Sequence, residues 1–397
     1  MSAAEPPASP RGSEAGERSR RRSGANHQGG AAETPHRPDW QLAVAPWIVA
    51  RVVVAAGFAV AMRLFDRHGT GVRPASLLQG LLTYDADFYR SIAEEGYQRT
   101  GGSLRFFPLV PTAAKALSLP FGDHVDIALL VIANACAFGF LVVLARVTRL
   151  ETHDERVVLA VVWLGALAPP AVVLVLGYAE ATLLLLSVGT FLFLRTERPG
   201  PAAALGFLAG LCRPFGIFLA VPAAIEVGRG WRTATTRERA WGVAAIVAPA
   251  AGVATYLVWV RERFGDAFLP LRIQQSSNLR GSFRDPISSV IDTATNLADR
   301  PTGLIHLVAI VGCIALLVVV IRRLPASYSA FAALSILLAV SAENLDSLER
   351  YALGAFPLLI GAGLLLRTPR VMRIVVAASG LGLLATSTAV FLARWVP

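Results

Sequence analysis

The chain alternates long apolar runs with polar segments, and this alternation is the strongest signal in the sequence. Several runs approach the roughly 20 residues that an α-helix needs to cross a bilayer. We therefore predict an all-α polytopic membrane protein, with about nine full spans in a single integral-membrane domain over residues 39–397. The predicted spans, to within a few residues, are 42–64, 125–145, 157–176, 179–194, 240–260, 303–321, 327–341, 352–366 and 374–393.

The apolar run 201–226 does not fit a single crossing. Arginines flank it on both sides, and it is interrupted by C-R-P-F-G, in which Pro214 removes a backbone donor and Gly216 permits a sharp turn. We predict a broken half-helix hairpin with Arg213 near its apex, facing a polar cavity because an intramembrane arginine is costly. The alternative is an ordinary kinked helix with a snorkelling arginine.

Composition narrows the class of protein. Of the 397 residues, 54% are hydrophobic and 16% charged, and the mean hydropathy is +0.55. The formal charge is +10, but the arginines form short clusters between apolar runs, so we expect them to set membrane topology and not to bind nucleic acid. The three cysteines lie inside apolar runs and indicate neither disulfides nor a zinc cluster. Residues 1–38, rich in Arg, Ser, Gly and Pro, are predicted to be a disordered cytoplasmic tail.

The arginine clusters also predict orientation. The tail arginines place the N-terminus in the cytoplasm, and most later clusters recur at alternate loops, as the positive-inside rule requires. The two long polar segments, 65–124 and 261–302, then lie on the extracytoplasmic side of a plasma membrane, and the first should contain short interfacial helices. Two shorter segments, G-Y-A-E at 177–180 and A-E-N-L-D-S-L-E-R-Y at 342–351, share that side.

Candidate chemistry begins in Y-D-A-D-F-Y-R-S-I-A-E-E-G-Y, residues 84–97. Read as a helix from Asp85, this stretch places Asp85, Phe88, Tyr89 and Ile92 on one face, while Asp87 points elsewhere. Asp85 is a candidate base with Asp87 beside it. The alternative is that Asp85 only caps the helix, a position that favours aspartate in any protein.

Four further residues on the same predicted side are candidates. Phe107 belongs to the aromatic, proline-punctuated segment L-R-F-F-P-L-V-P, which suits either a wall beside a lipid or packing against the bundle. Glu180 ends G-Y-A-E, with an exposed loop acid as its alternative. Arg350 and Tyr351 stand at the mouth of another span, where the alternative is a plain salt bridge. No metal or other cofactor is required, although a divalent ion shared by Asp85, Asp87 and Glu180 is an open alternative.

These motifs, in this order, resemble the PIG-V family of mannosyltransferases. The family pattern W-D-x-x-W-Y-x-x-I-A-x-x-G-Y, followed by F-F-P-x-x-P, corresponds to residues 84–97 and then F-F-P-L-V-P. The resemblance continues through G-Y-A-E, R-P-F-G at 213–216, F-G-D at 264–266 with Gln274 following, and E-R-Y-A-L-G-A-F-P at 349–357. Tyr84 and Phe88 replace the two tryptophans, and Phe215 replaces an asparagine.

The resemblance implies a GT-C glycosyltransferase fold and a polyprenyl-phosphate sugar donor used on the outer side of the membrane. We then expect Asp85 to take the proton of an attacking hydroxyl, and Arg213 and Arg350 to hold the departing phosphate. Mannose is the expected sugar, and the acceptor is a glycolipid, a glycan or a protein. The remaining substrate-binding candidates are Tyr84, Tyr89, Phe107, Glu180, Gln274 and Tyr351.

Two other functions stay open at this point. A lipid or sugar transporter would need polar residues at mid-depth on several helices. Here the candidates gather toward one side of the membrane, and the cytoplasmic half is predicted to be nearly free of charge, which favours a one-sided site. A non-catalytic subunit of a cell-envelope glycosylation complex is the other alternative, and the two replaced tryptophans keep it open.

Overall fold

The computed structural model describes residues 37–99, 102–276, 279–297 and 302–395. The predicted disordered tail therefore lies outside the described residues, apart from its last two positions. Within the described residues all regular structure is helical. The helices are α1 (Asp39–His68), α2 (Leu77–Leu81), α3 (Asp85–Glu95), α4 (Leu109–Ser118), α5 (Val125–Glu151), α6 (Glu155–Leu167), α7 (Glu180–Arg195), α8 (Pro199–Cys212), α9 (Ala220–Gly230), α10 (Thr236–Phe264), α11 (Leu269–Gln274), α12 (Pro286–Thr295), α13 (Gly303–Arg323), α14 (Ala326–Val340), α15 (Leu348–Gly354), α16 (Pro357–Leu365) and α17 (Pro369–Phe391).

Five of these helices, α1, α5, α10, α13 and α17, are long and apolar enough to cross a membrane. The pair α15 and α16 would make a sixth span, but it is bent by 84°. The protein is therefore a multi-pass membrane protein, while the predicted count of about nine full spans is not confirmed. One cause is visible at 157–176, where α6 ends at Leu167 and Pro169 opens a 3-10 turn that ends at Leu174.

The segment 201–226 reverses direction in the bundle. Helix α8 ends at Cys212, a 3-10 turn follows from Pro214 to Leu219, and α9 returns until Glu226 contacts Arg195, shortly before the start of α8. A Cβ at Gly216 would lie 2.2 Å from the carbonyl oxygen of Ala209. The turn therefore needs glycine where it folds back onto α8.

Close packing of α8 on α10 depends on small residues. A Cβ at Gly210 would lie 2.2 Å from the carbonyl oxygen of Pro249, and one at Gly252 would lie 2.1 Å from that of Phe207. Such glycines let two backbones approach closely, as is common between membrane helices. Helix α7 is largely enclosed, with eleven of its 16 residues buried, including Glu180 at its start.

The charged helix ends fall into two groups at opposite ends of the bundle. One group, which we call the motif end, contains Asp85, Glu180, Arg213 and Arg350. The other, the opposite end, contains Glu151, Arg195 and Glu226, together with the contact between Asp39 and Arg149. Each of the helices α5, α7, α8 and α9 runs between the two groups. Helices α3 and α4, from the first long polar segment, lie at the motif end.

Candidate functional site

Four charged side chains from four separate elements meet at the motif end. Arg350 donates from Nη1 to Oδ2 of Asp85 at 2.6 Å, and its Nε lies 3.4 Å from Oε1 of Glu180. Arg213 donates to the same Glu180 oxygen. The four side chains are between 7% and 15% exposed, so the charges are largely removed from water. We call Asp85, Glu180, Arg213 and Arg350 the motif cluster.

The backbone around Asp85 is held by the segment that precedes α7. The Asp85 N–H donates to the Tyr178 hydroxyl at 3.3 Å, and the Gly177 N–H donates to the Leu81 carbonyl at 3.0 Å. A Cβ at Gly177 would lie 3.3 Å from Ala86, so glycine allows this close approach. Tyr84, just before Asp85, has a φ of +57°, a strained conformation for a tyrosine and one often found at functional sites.

The other three members of the motif cluster sit where helices begin or break. Glu180 is the first residue of α7, where the N-terminal end of the helix dipole favours a carboxylate. Arg213 follows the last residue of α8 in an extended conformation, so its side chain leaves the helix at the break. Arg350 lies in the short helix α15, which precedes the 84° bend. Proline follows at two of these places, Pro214 after Arg213 and Pro357 at the start of α16.

Two more arginines extend the positive charge of the site. Arg105 lies over the rings of Phe88 and Phe106, with its Cζ 4.9 and 4.7 Å from their centroids. Arg280 lies 4.5 Å from the centroid of Tyr351 and donates to the carbonyl groups of Leu338 and Ala339. Both interact electrostatically with Arg350, and Arg105 does so with Asp85. Four arginines thus surround two carboxylates, which leaves an excess of two positive charges.

Several polar atoms of the site are buried without a hydrogen-bond partner among the described residues. They are Oε2 of Glu180 and the Nε atoms of Arg105, Arg280 and Arg350. Buried polar groups are normally paired, so such a concentration needs an explanation. A cavity of about 30 Å³ beside Glu180, Arg213, Arg350 and Tyr351 has room for a water molecule but not for a sugar.

The electrostatics of Asp85 favour its ionised form. Burial opposes ionisation, but the positive charges of Arg350, Arg213 and Arg105 outweigh that effect and hold the pKa of Asp85 below its ordinary value of 3.8. Asp85 is therefore a carboxylate at neutral pH. The ion pair with Arg350 explains how a charge stays stable in a largely buried position.

Six of the predicted site residues are together in the structure. Besides the motif cluster, Tyr351 stacks on Phe215 with ring centroids 4.8 Å apart and lies beside Arg350. Tyr89 is fully buried and interacts electrostatically with Asp85, Glu180 and Arg213. The face predicted for α3 is therefore the one turned toward the other candidates. The exposed-loop alternative for Glu180 is not found, because Glu180 is buried. Arg350 does form a salt bridge, with Asp85 265 positions away, so its salt-bridge alternative stays open.

Four predicted site residues are not brought into the motif cluster. Asp87 is 60% exposed and pairs with Arg90 one turn along α3. The Tyr84 hydroxyl donates to the Val390 carbonyl at 3.0 Å, and Phe107 packs on Tyr256 in a separate apolar cluster. Gln274 ends α11, a helix that packs against the 3-10 turn carrying Arg105. The Tyr84 hydroxyl and the Phe107 ring are thus engaged in other contacts, and Gln274 lies at the margin of the site.

The three carboxylates considered as metal ligands are not assembled, because Asp87 faces away from Asp85 and Glu180. In the part of the chain that the structure describes, no group of three His, Cys, Asp or Glu side chains could hold a metal ion. The helix-cap alternative for Asp85 is not found either. Asp85 is the first residue of α3, and its carboxylate pairs with Arg350.

Sequence reasoning missed three residues of this site. Tyr178 was inside the quoted G-Y-A-E motif, where its place two residues before Glu180 was a usable signal. Arg105 was inside the aromatic segment, and an arginine among phenylalanines could have indicated stacking. Arg280 lies in a polar segment where nothing local distinguishes an inward arginine from an exposed one.

An apolar groove opens next to the site. It has a volume of about 500 Å³ between α3, α4, α8 and α10. Its lining includes Tyr97, Pro108, Pro111, Tyr256 and Trp259, with Lys115 as its charged side chain. The proline-punctuated segment predicted to form a wall beside a lipid therefore contributes two prolines to this groove, while its Phe107 ring packs inward.

A second ionic network lies at the opposite end and corrects a prediction. Arg195 donates to Glu151 at 3.0 Å and to Glu226 at 3.2 Å. The Tyr328 hydroxyl donates to Glu151 at 2.8 Å, and the Ser327 hydroxyl donates to Glu226. The end predicted to be nearly free of charge therefore contains buried charges. We call these five residues the opposite network, and none of their side-chain polar atoms is among the buried unpaired atoms of the described chain.

Comparison with known protein families matches residues 108–342 to Glycosyltransferase family 87. The match covers more than half of the chain and includes Glu180, Arg213 and Arg280, while Asp85 precedes it and Arg350 follows it. No curated protein matches the chain. The expectation of a glycosyltransferase is confirmed, whereas the narrower resemblance to the PIG-V mannosyltransferases is not.

Proposed function

The chain belongs to glycosyltransferase family 87, and we propose that it transfers a hexose, mannose in the first instance, from a polyprenyl-phosphate donor to an acceptor hydroxyl. The observation that carries this proposal is the motif cluster itself. A carboxylate at the start of α3 is paired with an arginine inside a largely buried site that holds an excess of positive charge. Those are the two groups that displacement of a phosphate from a sugar requires.

The excess charge supports a donor that contains phosphate. Guanidinium groups present paired N–H donors that match phosphate oxygens and stay charged in a low-dielectric site. Arg105 and Arg350 each have a buried Nε without a hydrogen-bond partner, although that of Arg350 lies 3.4 Å from Glu180. Both can therefore bind a new ligand without first breaking a hydrogen bond from that atom. Held by two aromatic rings, Arg105 is also already ordered, which lowers the entropy cost of binding.

The same geometry supports Asp85 as the general base. In the free protein Arg350 and its neighbours keep the pKa of Asp85 low, which makes it a weak base. A donor phosphate on Arg350 would neutralise part of that positive charge. The pKa of Asp85 would then rise, so donor binding would itself activate the base.

The reaction then follows as a single displacement. The acceptor oxygen attacks the anomeric carbon and gives its proton to Asp85, while the bond from that carbon to the phosphate oxygen breaks. The bonding electrons leave with the phosphate, whose charge is held by Arg213 and Arg350. Attack from the face opposite the leaving group inverts the configuration at the anomeric carbon. Glu180 contacts both arginines and positions them.

The surroundings of the motif cluster support a lipid-linked donor. The apolar groove beside α3 and α4 has a volume and lining suited to an isoprenoid chain. The cavity of about 30 Å³ at the motif cluster is too small for a hexose. We therefore expect α15, which carries Tyr351 and is followed by the sharp bend, to move aside when the donor binds.

We also propose that the motif end faces the extracytoplasmic side of a plasma membrane. Arg149, Arg195 and Arg229 all lie at the opposite end. Basic residues near the ends of spans are retained on the cytoplasmic side, so their position supports this orientation. The N-terminus of α1 shares their end through the contact between Asp39 and Arg149.

Donor choice tests the proposed function directly. The purified full chain, in lipid nanodiscs with an extract of bacterial membrane glycans as acceptor, is given either polyprenyl-phosphate mannose or GDP-mannose, each with a tritium label in the sugar. We expect transfer of label from the polyprenyl-phosphate donor only, and none in nanodiscs without the chain. Transfer from the nucleotide donor, or from neither, would contradict the proposal.

A further inference from the structure

A polar cavity of about 520 Å³ lies between α12, the start of α13 and the segment before α15. Small-molecule sites commonly have volumes of about 300 to 1,000 Å³. The cavity is far larger than the space at the motif cluster itself. The side chains that matter for its chemistry are Arg284, Asp292, Asn296, His306, Asn344 and Asp346.

The charge of this cavity is opposite to that of the motif cluster. Three carboxylates, those of Asp292, Glu343 and Asp346, line it together with Arg284. Arg284 is already paired with Asp292. A phosphate group would therefore be repelled here, whereas a neutral ligand would not. The motif cluster thus favours a ligand with phosphate, and the cavity favours a neutral one.

The lining offers donors and acceptors of the kind that hydroxyl groups need. The Asn296 amide provides both, with one N–H already donated to the Asp292 carbonyl, and the carboxylates accept. The Asn344 amide is already paired with Leu279 and Asp346. His306 is the best-defined group, because its side chain is 8% exposed and its Nδ1 lies 2.7 Å from Oε1 of Glu349. Its other nitrogen, Nε2, is 3.9 Å from Oδ1 of Asp346, too far for a hydrogen bond. His306 lines the cavity, and this nitrogen is available to a ligand.

Helix α15 has side-chain contacts with both sites. Glu349 contacts His306 on the cavity side, and the next residue, Arg350, contacts Asp85. We propose that this cavity binds the carbohydrate of the acceptor, as a neutral saccharide without phosphate. The inference rests on the proposed function, because only a transferase needs an acceptor sugar beside its donor site.

Binding of simple sugars tests the cavity without any need for turnover. Saturation-transfer NMR on the full chain in nanodiscs uses methyl α-mannoside and α-mannobiose as neutral probes and mannose 1-phosphate as the charged comparator. We expect binding of the neutral probes, at least ten times tighter than that of mannose 1-phosphate. Absence of binding by both neutral probes, or tighter binding of the phosphate, would overturn the proposal.

Two variants locate the binding. Asn296→Ala and Asp346→Ala each remove an exposed polar group from the lining, and we expect each to weaken binding of α-mannobiose about tenfold. The matched control is Thr295→Ala, one residue away on α12 and outside the lining, which should bind like the wild type. Equal binding by all three variants would show that the sugar sits elsewhere.

Failure of this inference can be told apart from failure of the proposed function. Donor transfer by the wild type, measured as above, tests the function alone. Transfer without sugar binding would overturn the cavity and keep the function. Sugar binding that depends on Asn296 and Asp346, without transfer from polyprenyl-phosphate mannose, would keep a saccharide site and overturn the donor assignment.

Discussion

The two ends of the bundle each contain a buried ionic network, and the two differ in how completely their polar atoms are paired. In the opposite network one arginine donates to two carboxylates, and each carboxylate also accepts a hydrogen bond from a hydroxyl group. In the motif cluster and its two added arginines, four buried polar atoms have no partner in the described chain. Fully paired charges serve to stabilise a helix bundle. Unpaired polar atoms and excess charge are typical of a ligand-binding site.

The largest effect should come from removing the arginine that joins the two carboxylates. Arg350→Gln takes away a cation that we place on the departing phosphate, and we expect the transfer rate per folded molecule to fall at least about 100-fold. Arg195→Gln makes the same change in the opposite network and should leave that rate within about twofold. Radiolabel transfer, normalised to folded protein by size-exclusion chromatography, compares the two. Similar losses in both variants would break the distinction between the ends.

A smaller effect is expected from Arg105, which lies at the margin of the motif cluster. Arg105→Gln removes one charge from the phosphate site, so KM for the donor should rise about tenfold. The same charge helps to hold the pKa of Asp85 low. Its loss should raise that pKa and move the acid limb of the kcat/KM profile to higher pH, because the base must be ionised. Arg90→Gln, on the exposed side of α3, is the control, and an unmoved acid limb would separate Arg105 from Asp85.

Changes in the opposite network should have the smallest effect on activity and should instead lower the stability of the fold. Glu226→Gln leaves Arg195 with one carboxylate in a buried setting. Breaking a buried ion pair lowers the free energy of unfolding by about 3 to 5 kcal/mol. We expect a lower unfolding midpoint in denaturant and a transfer rate per folded molecule within about twofold. The exposed Glu262→Gln is the control. A strong loss of activity with normal stability would assign this network a functional role.

Sequence alone predicted the long apolar helices well, because a run near 20 residues is a signal that packing rarely overrides. Helices α1, α5, α10, α13 and α17 all coincide with predicted spans. The shorter runs were harder, since the same composition serves a span, a half-span or an interior helix. Pro169 was visible in the sequence, but composition alone did not show that α6 would end there.

The candidate site was predictable where helix periodicity applied and not where tertiary contacts decided. Periodicity separated Asp85 from Asp87, and the structure separates them in the same way. It had no means to pair Asp85 with Arg350 or to turn Arg280 inward. The opposite network was missed because Glu151 and Glu226 stand near the ends of apolar runs, where a loop charge is the ordinary expectation.

The central claim is that Asp85 is the base of a transferase, and the neighbouring aspartate provides a matched test. Asp85→Asn and Asp87→Asn make the same change two residues apart on α3, one inside the motif cluster and one exposed. The measurement is transfer of labelled mannose from polyprenyl-phosphate mannose per folded molecule of each variant. We predict a loss of about 100- to 10,000-fold for Asp85→Asn and a rate close to wild type for Asp87→Asn. Equal rates in the two variants would contradict the claim.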